Sequence, residues 1–81
     1  MPRYLFDTDD GDTFIKGDQG LNLKDLEAAR RHAQDALADL ARDAVPGDTN
    51  QRTMTVRVRD QAGNTVLKAA LVLMIERSPV A

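Results

Sequence analysis

Polar and apolar residues alternate near the start of the chain, as they do in a β-hairpin. Residues 3–8 place Tyr4 and Phe6 on one face of a predicted strand. An Asp-Gly pair follows at 10–11, and this dipeptide favours tight turns because glycine tolerates a positive φ. Residues 13–16 carry Phe14 and Ile15 and predict the return strand, which the glycine-containing stretch 17–20 ends.

The middle of the chain has the periodicity of an amphipathic helix, with apolar residues every three or four positions. Asn22 is the predicted N-cap, with Asp25 in the capping-box position three residues later. The helix is predicted to stop at 45–47, Val-Pro-Gly, because proline disfavours helical geometry in the residue before it. The predicted apolar stripe consists of Leu26, Ala29, Ala33, Leu37, Leu40 and Ala44.

The last third of the chain predicts a second hairpin. Met54, Val56 and Val58 alternate with polar residues, which is typical of a strand with one buried face. Residues 60–64 predict the turn, and the apolar stretch 66–75 predicts the final strand. We expect the odd-numbered residues of this strand to face the helix, because the opposite choice would bury Lys68 without a partner.

Together these elements predict an α+β fold with the order β-β-α-β-β. Four strands form one antiparallel sheet, and a single helix packs on one face of it. Residues 1–75 are the predicted domain, and residues 76–81 are a C-terminal tail. The final strand is apolar on both faces, so its outer face is either covered or an association surface.

The composition argues against catalysis. The chain has 81 residues with no cysteine, which excludes disulfides and thiolate metal sites. It has one histidine and one serine, too few for most nucleophile–base arrangements. We therefore expect no enzymatic activity, no cofactor and no small-molecule substrate.

The distribution of apolar residues also bears on location. The longest apolar stretch, 66–75, contains Lys68 and is shorter than the roughly 20 residues that a bilayer-spanning helix needs. The N-terminus has no long apolar stretch and no small-residue cleavage site, so it is not a secretory signal. We expect a cytoplasmic protein without a membrane partner.

Three features of the sequence are candidates for metal or catalytic sites. The acidic run at 7–12 partly matches an EF-hand loop, which needs glycine at position six, but counting from Asp7 places Gly11 at position five. A hairpin turn is the preferred interpretation. His32 lies beside the helical stripe with no second histidine or cysteine, and Ser78 lies in the predicted tail. Neither is predicted to be catalytic or to bind a metal.

Charged residues form two candidate patches. Arg57 and Arg59, with Lys68 on the neighbouring strand, predict a basic patch on the sheet face away from the helix. Sheets that bind single-stranded nucleic acid stack bases on aromatic residues, and the predicted face has none, so nucleic acid is not the expected partner. The helix carries Asp35 and Asp39 at repulsive spacing. These acids form either a solvated face or a site for a basic partner, such as the arginine face of a second copy.

Several short motifs appear in a characteristic order: an MPRY start, DGD at 10–12, DLEAAR at 25–30, VRVRD at 56–60 and Gly63. In this order and spacing the chain resembles a small family of proteobacterial domains of unknown function, which begin with an MPRYFF-like strand and end with a V-x-D-x-x-G hairpin. The resemblance covers about the first 70 residues. The chain departs from it at Leu5, where an aromatic residue is common, and in a longer apolar tail after Ala70. The resemblance supports the fold and implies no established activity.

The favoured hypothesis is a non-enzymatic interaction module, either a homodimer or an accessory subunit. Its predicted interface lies on the sheet face away from the helix and comprises Leu5, Arg57, Val66, Val72 and Met74. Alternatively, this face binds another protein, or the apolar tail folds back over it. A nucleic-acid-linked regulator of the antitoxin type is a rival hypothesis that rests on fold analogy alone.

Overall fold

The computed structural model describes residues 1–44 and 49–79, which form one helix and five strands. The predicted helix stop at 45–47 lies outside the described residues. No helix within the described ranges has both the length and the apolar character needed to cross a bilayer. The elements are β1 (Arg3–Asp9), β2 (Phe14–Ile15), β3 (Leu21–Asn22), α1 (Leu26–Ala44), β4 (Gln51–Arg59) and β5 (Thr65–Met74).

The strands form one antiparallel sheet in the order β2-β1-β4-β5. β3 joins the same edge as β2 but pairs with the opposite end of β1, where Tyr4 lies opposite Leu21. The predicted α+β class, with one helix and an antiparallel sheet, is confirmed. The predicted count of four strands is wrong, because β3 adds a fifth that two residues are too few to signal in sequence.

The helix begins later than predicted. Asp25 is the N-cap: its Oδ1 accepts a hydrogen bond of 2.9 Å from the amide of Ala28, and its carbonyl accepts the amide of Ala29. Asn22, the predicted N-cap, instead pairs with Arg3 in the sheet. The amide of Leu23 also donates to the carbonyl of Pro2, so long-range pairing holds this segment extended.

The core lies between α1 and the sheet. Small side chains on the helix, Ala29 and Ala33, are fully buried and let the helix approach closely. Leu67 and Ala69 of β5 pack against this core while Lys68 is exposed, which confirms the predicted orientation of the last strand. The buried apolar residues are Tyr4, Ala29, Ala33, Leu37, Met54, Val56 and Val58.

Candidate interaction surface

One side of the sheet is not covered by the helix, and we call it the open face. The strand register sets its residues side by side: Asp7 lies opposite Arg57, which lies opposite Lys68, and Thr53 lies opposite Val72. The open face has a polar half near β2 and an apolar half at the far end of β5. Its strand residues are Leu5, Asp7, Asp9, Phe14, Gln51, Thr53, Thr55, Arg57, Arg59, Thr65, Lys68, Ala70, Val72 and Met74.

A buried ion pair lies in the polar half. Arg59 donates from Nε to Oδ2 of Asp7 and from Nη2 to Oδ1, each over 2.9 Å. The same Nη2 donates to the carbonyl of Gly17 over 2.8 Å, and the amide of Gly17 donates to Oδ1 of Asp7 over 2.9 Å. Asp7 is only 4% exposed. This cluster fixes β1, β4 and the chain after β2 to one another.

Gly17 is required by the close approach of two backbone segments. A Cβ at this position would overlap the carbonyl oxygen of Phe6 and lie 2.8 Å from its carbonyl carbon. Both are backbone atoms of a central strand and cannot move aside as a flexible side chain would. The glycine therefore allows the chain after β2 to reach Asp7.

The ion pair shifts the protonation of both partners. The hydrogen bond from Arg59 lowers the pKa of Asp7 below its ordinary value, against an opposing effect of burial. The same hydrogen bond raises the pKa of Arg59. Both groups are therefore charged at neutral pH, and their hydrogen bonds are directed inward rather than toward a ligand.

This arrangement changes the predicted basic patch. Arg59 is largely occupied by Asp7 and Gly17, so it contributes little free charge to the surface. Arg57 and Lys68 remain exposed, directly opposite each other on β4 and β5. The basic patch is therefore two residues wide instead of three.

Phe14 contradicts the expectation that the open face has no aromatic residue. It pairs with Asp9, which places it on the open face, and it is 57% exposed. Phe14 lines a shallow depression of about 130 Å³ with Asp9, Thr55, Arg57 and Lys68. The sequence contained the signal, because the number of residues in the first turn decides which of Phe14 and Ile15 faces outward.

The apolar half of the open face lies on β5. Val72 and Met74 are each 56% exposed. Ile75 is exposed as well, and so is Leu71, which lies opposite the core residue Met54 and therefore on the helix side of β5. Leu71 and Ile75 are not part of the predicted interface. They belong to the same continuous run, which could have been recognised from the sequence as an apolar strand end.

The other predicted interface residues lie apart from this run. Leu5 is half-buried on the open face, on β1 and opposite Arg59, away from the apolar end of β5. Val66 follows the start of β5, close to a register shift at Val58 and Arg59, and lines a depression with Tyr4 and Leu26 near the start of the helix. Of the five predicted residues, the structure brings together Val72 and Met74.

The acidic run forms a hairpin turn. Oδ1 of Asp9 accepts the amide of Gly11, and Oδ1 of Asp10 accepts the amides of Asp12 and Thr13. The hydrogen bonds from the amides of Thr13 and Asp12 lower the pKa of Asp10 below its ordinary value. Within residues 1–44 and 49–79, no three histidine or carboxylate side chains are grouped so as to hold a metal ion.

Arg52 of β4 holds this turn against the sheet. Its Nη1 donates to the carbonyl of Asp10 over 3.2 Å and lies 3.0 Å from Oδ2 of Asp12. Gly11 has a φ of 101°, and a Cβ there would overlap the Arg52 side chain. The turn carboxylates thus make structural bonds within the protein.

The remaining candidates are His32, Ser78 and the acidic residues of the helix. The ring of His32, an exposed residue of α1, lies 4.6 Å from that of Phe6 of β1, centroid to centroid, and so contacts the edge of the core. Ser78 lies in the exposed segment after β5. On the helix, Arg42 pairs with Asp39 and lies 3.7 Å from Asp43, so part of the acidic patch is neutralised within the helix itself.

Comparison with known proteins identifies the family and adds no activity. No curated protein and no solved structure matches the chain. Residues 3–72 match the profile of DUF6894, which is described as a domain of unknown function. The match includes β1 to β4 and all but the last two residues of β5. The chain therefore belongs to the DUF6894 family of domains of unknown function.

Proposed function

We propose that this domain is a non-enzymatic interaction module that associates with a second copy of itself. The observation that carries the proposal is the exposed apolar run on β5, the terminal strand of the sheet. Leu71, Val72, Met74 and Ile75 are all exposed, and they are consecutive apart from the half-buried Leu73. Contiguous apolar surface on a small protein is typical of a binding site.

Burial of these exposed apolar side chains favours association. Fully burying a valine or methionine side chain stabilises by roughly 1.5–3 kcal/mol relative to leaving it exposed. A small domain has a limited core, so covering this run in a dimer adds a large fraction to its stability. A symmetric dimer doubles the effect, because both copies contribute the same residues.

Light scattering after size-exclusion chromatography tests this proposal. We expect the wild type to have the mass of a dimer and Val72→Asp to have that of a monomer. Ile15→Asp is the matched control, since Ile15 is equally exposed but lies at the opposite edge of the sheet. A wild-type monomer at every accessible concentration would contradict the proposal, as would a Val72→Asp variant that remains dimeric.

A second candidate function is binding of single-stranded nucleic acid at the polar half of the open face. The observation that favours it is the exposed ring of Phe14 beside Arg57 and Lys68. An aromatic ring stacks on a base while adjacent cations pair with phosphates. The net charge of −2 opposes it, so affinity would depend strongly on salt.

Fluorescence anisotropy with labelled single-stranded DNA and RNA tests this second function. Binding that weakens in Phe14→Ala and falls with added salt would support it. Ile15→Ala is the matched control, because Ile15 faces the other side of the sheet. Absence of binding at low salt would rule it out.

A further inference from the structure

We propose that two copies join through antiparallel pairing of their β5 strands, about a two-fold axis at Val72. This inference rests on the proposed self-association and specifies its geometry. Within residues 1–44 and 49–79, β4 is the only strand that pairs with β5, so β5 is an edge strand. It is also the longest strand of the sheet, with 10 residues. A long apolar edge strand is a template for pairing with another chain.

The hydrogen-bond pattern shows which residues face the free edge. The amide of Ile75 donates to the carbonyl of Asn50 over 2.7 Å, so the backbone of Ile75 points toward the β4 side. In an antiparallel ladder, consecutive residues point alternately toward one neighbour and the other. The even-numbered residues from Lys68 to Met74 therefore direct their N–H and C=O groups away from β4. Only registers that pair even-numbered residues with each other satisfy these groups.

Among those registers, the one centred on Val72 makes the strand complementary to itself. With the pairing continued two residues past Met74, where β5 ends, Lys68 then lies opposite Glu76 of the second copy, and the two-fold axis creates this pair of opposite charges twice. Both side chains are exposed in the single copy. Shifting the centre to Leu71 or Leu73 places Lys68 opposite Met74 or Ser78 and loses the charge pairing.

Side-chain size follows the same symmetry. Ala70 lies opposite Met74, and Ala69 lies opposite Ile75, so a small residue meets a large one on each face. Leu71 meets Leu73, and Val72 meets Val72 of the second copy. Cross-strand pairs of opposite charge and of apolar residues each stabilise a sheet. The charge pair therefore selects the register, and the side-chain sizes fit it.

The pairing also covers a groove beside the helix. Between α1 and β5 lies a depression of about 400 Å³ whose lining includes Leu37, Ala38, Ala69 and Leu71. Antiparallel partners place equivalent residues on the same side, so both helices lie on one face of a continuous sheet. Each copy then brings Leu73 next to Leu71 of the other at this groove.

A charge-swap series tests the register. Lys68→Glu sets two carboxylates opposite each other at both ends, and Glu76→Lys sets two ammonium groups there. We expect each single variant to weaken dimerisation about tenfold and the double variant Lys68→Glu/Glu76→Lys to restore it. Dimer affinity is measured by sedimentation equilibrium. A double variant no tighter than either single variant would overturn the register.

Cysteine cross-linking provides a second test, because the native chain has no cysteine. Cα atoms of a hydrogen-bonded antiparallel pair lie about 5.5 Å apart, within disulfide range. We expect Val72→Cys to form a covalent dimer on mild oxidation and the matched control Ile15→Cys to form far less. If the wild type is dimeric but neither the swap nor the cross-link behaves as expected, edge pairing is wrong and self-association stands. If the wild type is monomeric, both the self-association and the β5 pairing are wrong.

Discussion

Arg59 holds the carboxylate of Asp7 with two parallel hydrogen bonds of 2.9 Å, although the two residues are 52 positions apart in the chain. The pair lies on the side of the sheet opposite the apolar core. The ion pair fixes the register of β1 against β4 through directional hydrogen bonds. The core residues on the other face fix the same register through side-chain packing. In this register Leu5 lies opposite Arg59, and Asp7 lies opposite Arg57. The ion pair therefore joins two residues that are diagonal neighbours across β1 and β4.

Removing this carboxylate will destabilise the fold. We expect Asp7→Ala to lower the free energy of unfolding by about 2–3 kcal/mol, because the largely buried guanidinium of Arg59 and the amide of Gly17 lose their acceptor. Asp9→Ala is the control on the same strand and face, and we expect it to cost less than about 1 kcal/mol. Urea denaturation measures both. Equal losses in the two variants would show that the ion pair adds nothing specific.

The pair is expected to behave as a unit. In the double variant Asp7→Ala/Arg59→Ala the loss should be clearly smaller than the sum of the two single losses, because neither partner remains buried alone. The coupling is read from a double-mutant cycle of urea midpoints. Strict additivity would contradict a direct interaction.

Acid should weaken the fold through Asp7. Its pKa is lowered in the folded state, so its contribution is fully present above the unfolded value near 4 and is lost as pH falls through the folded value. We expect the stability difference between wild type and Asp7→Asn to be constant at neutral pH and to shrink below about pH 4. Unfolding free energies measured across the acid range test this, and a difference that stays constant to low pH would refute it.

Two glycines differ in why they are needed. Gly17→Ala should destabilise more strongly, because the new Cβ overlaps the backbone of Phe6. Gly63 has a φ of 92° but open space around it, so Gly63→Ala should cost only about 1–2 kcal/mol from the left-handed backbone conformation. Thermal unfolding ranks the two. A Gly17→Ala variant as stable as Gly63→Ala would show that the chain after β2 moves away at little cost.

The helix cap can be assigned by a third pair of variants. Asp25→Ala should cost about 1 kcal/mol, because the amide of Ala28 loses its acceptor. Asn22→Ala should cost less, because Asn22 is an exposed residue of β3. The reverse order in chemical denaturation would support Asn22 as the N-cap.

The sequence predicts those features that depend only on whether a single side chain can be buried at low free-energy cost. The charge of Lys68 identified which side of β5 faces the helix, and the spacing of Ala29, Ala33 and Leu37 identified the buried side of α1. Each conclusion needs only the solvation of a side chain and the period of its element. A strand has two possible orientations, and one charged residue that would be costly to bury is enough to decide between them.

Features that depend on distant partners were not predictable. Asn22 has the local properties of an N-cap, but pairing with Arg3 holds it in a strand. On the open face, Arg59 is bound to Asp7 and is not free to form the predicted basic patch. Phe14 lies on this face because the register of the first hairpin sets it opposite Asp9. In each case a contact outside the local sequence decided the outcome, and no periodicity signals such a contact.

The position of β1 in the sheet has a consequence for the order of folding. Although it comes first in the chain, it is an interior strand, with β2 and β3 on one side and β4 on the other. A nascent chain that has not yet reached Gln51 can pair only one side of β1, so Phe6, which lies opposite Val58 in the folded protein, has no strand beside it on the other. Closure of the sheet's centre therefore waits for synthesis of β4, and we expect the non-local pairing of β1 with β4 to be the slow step of folding.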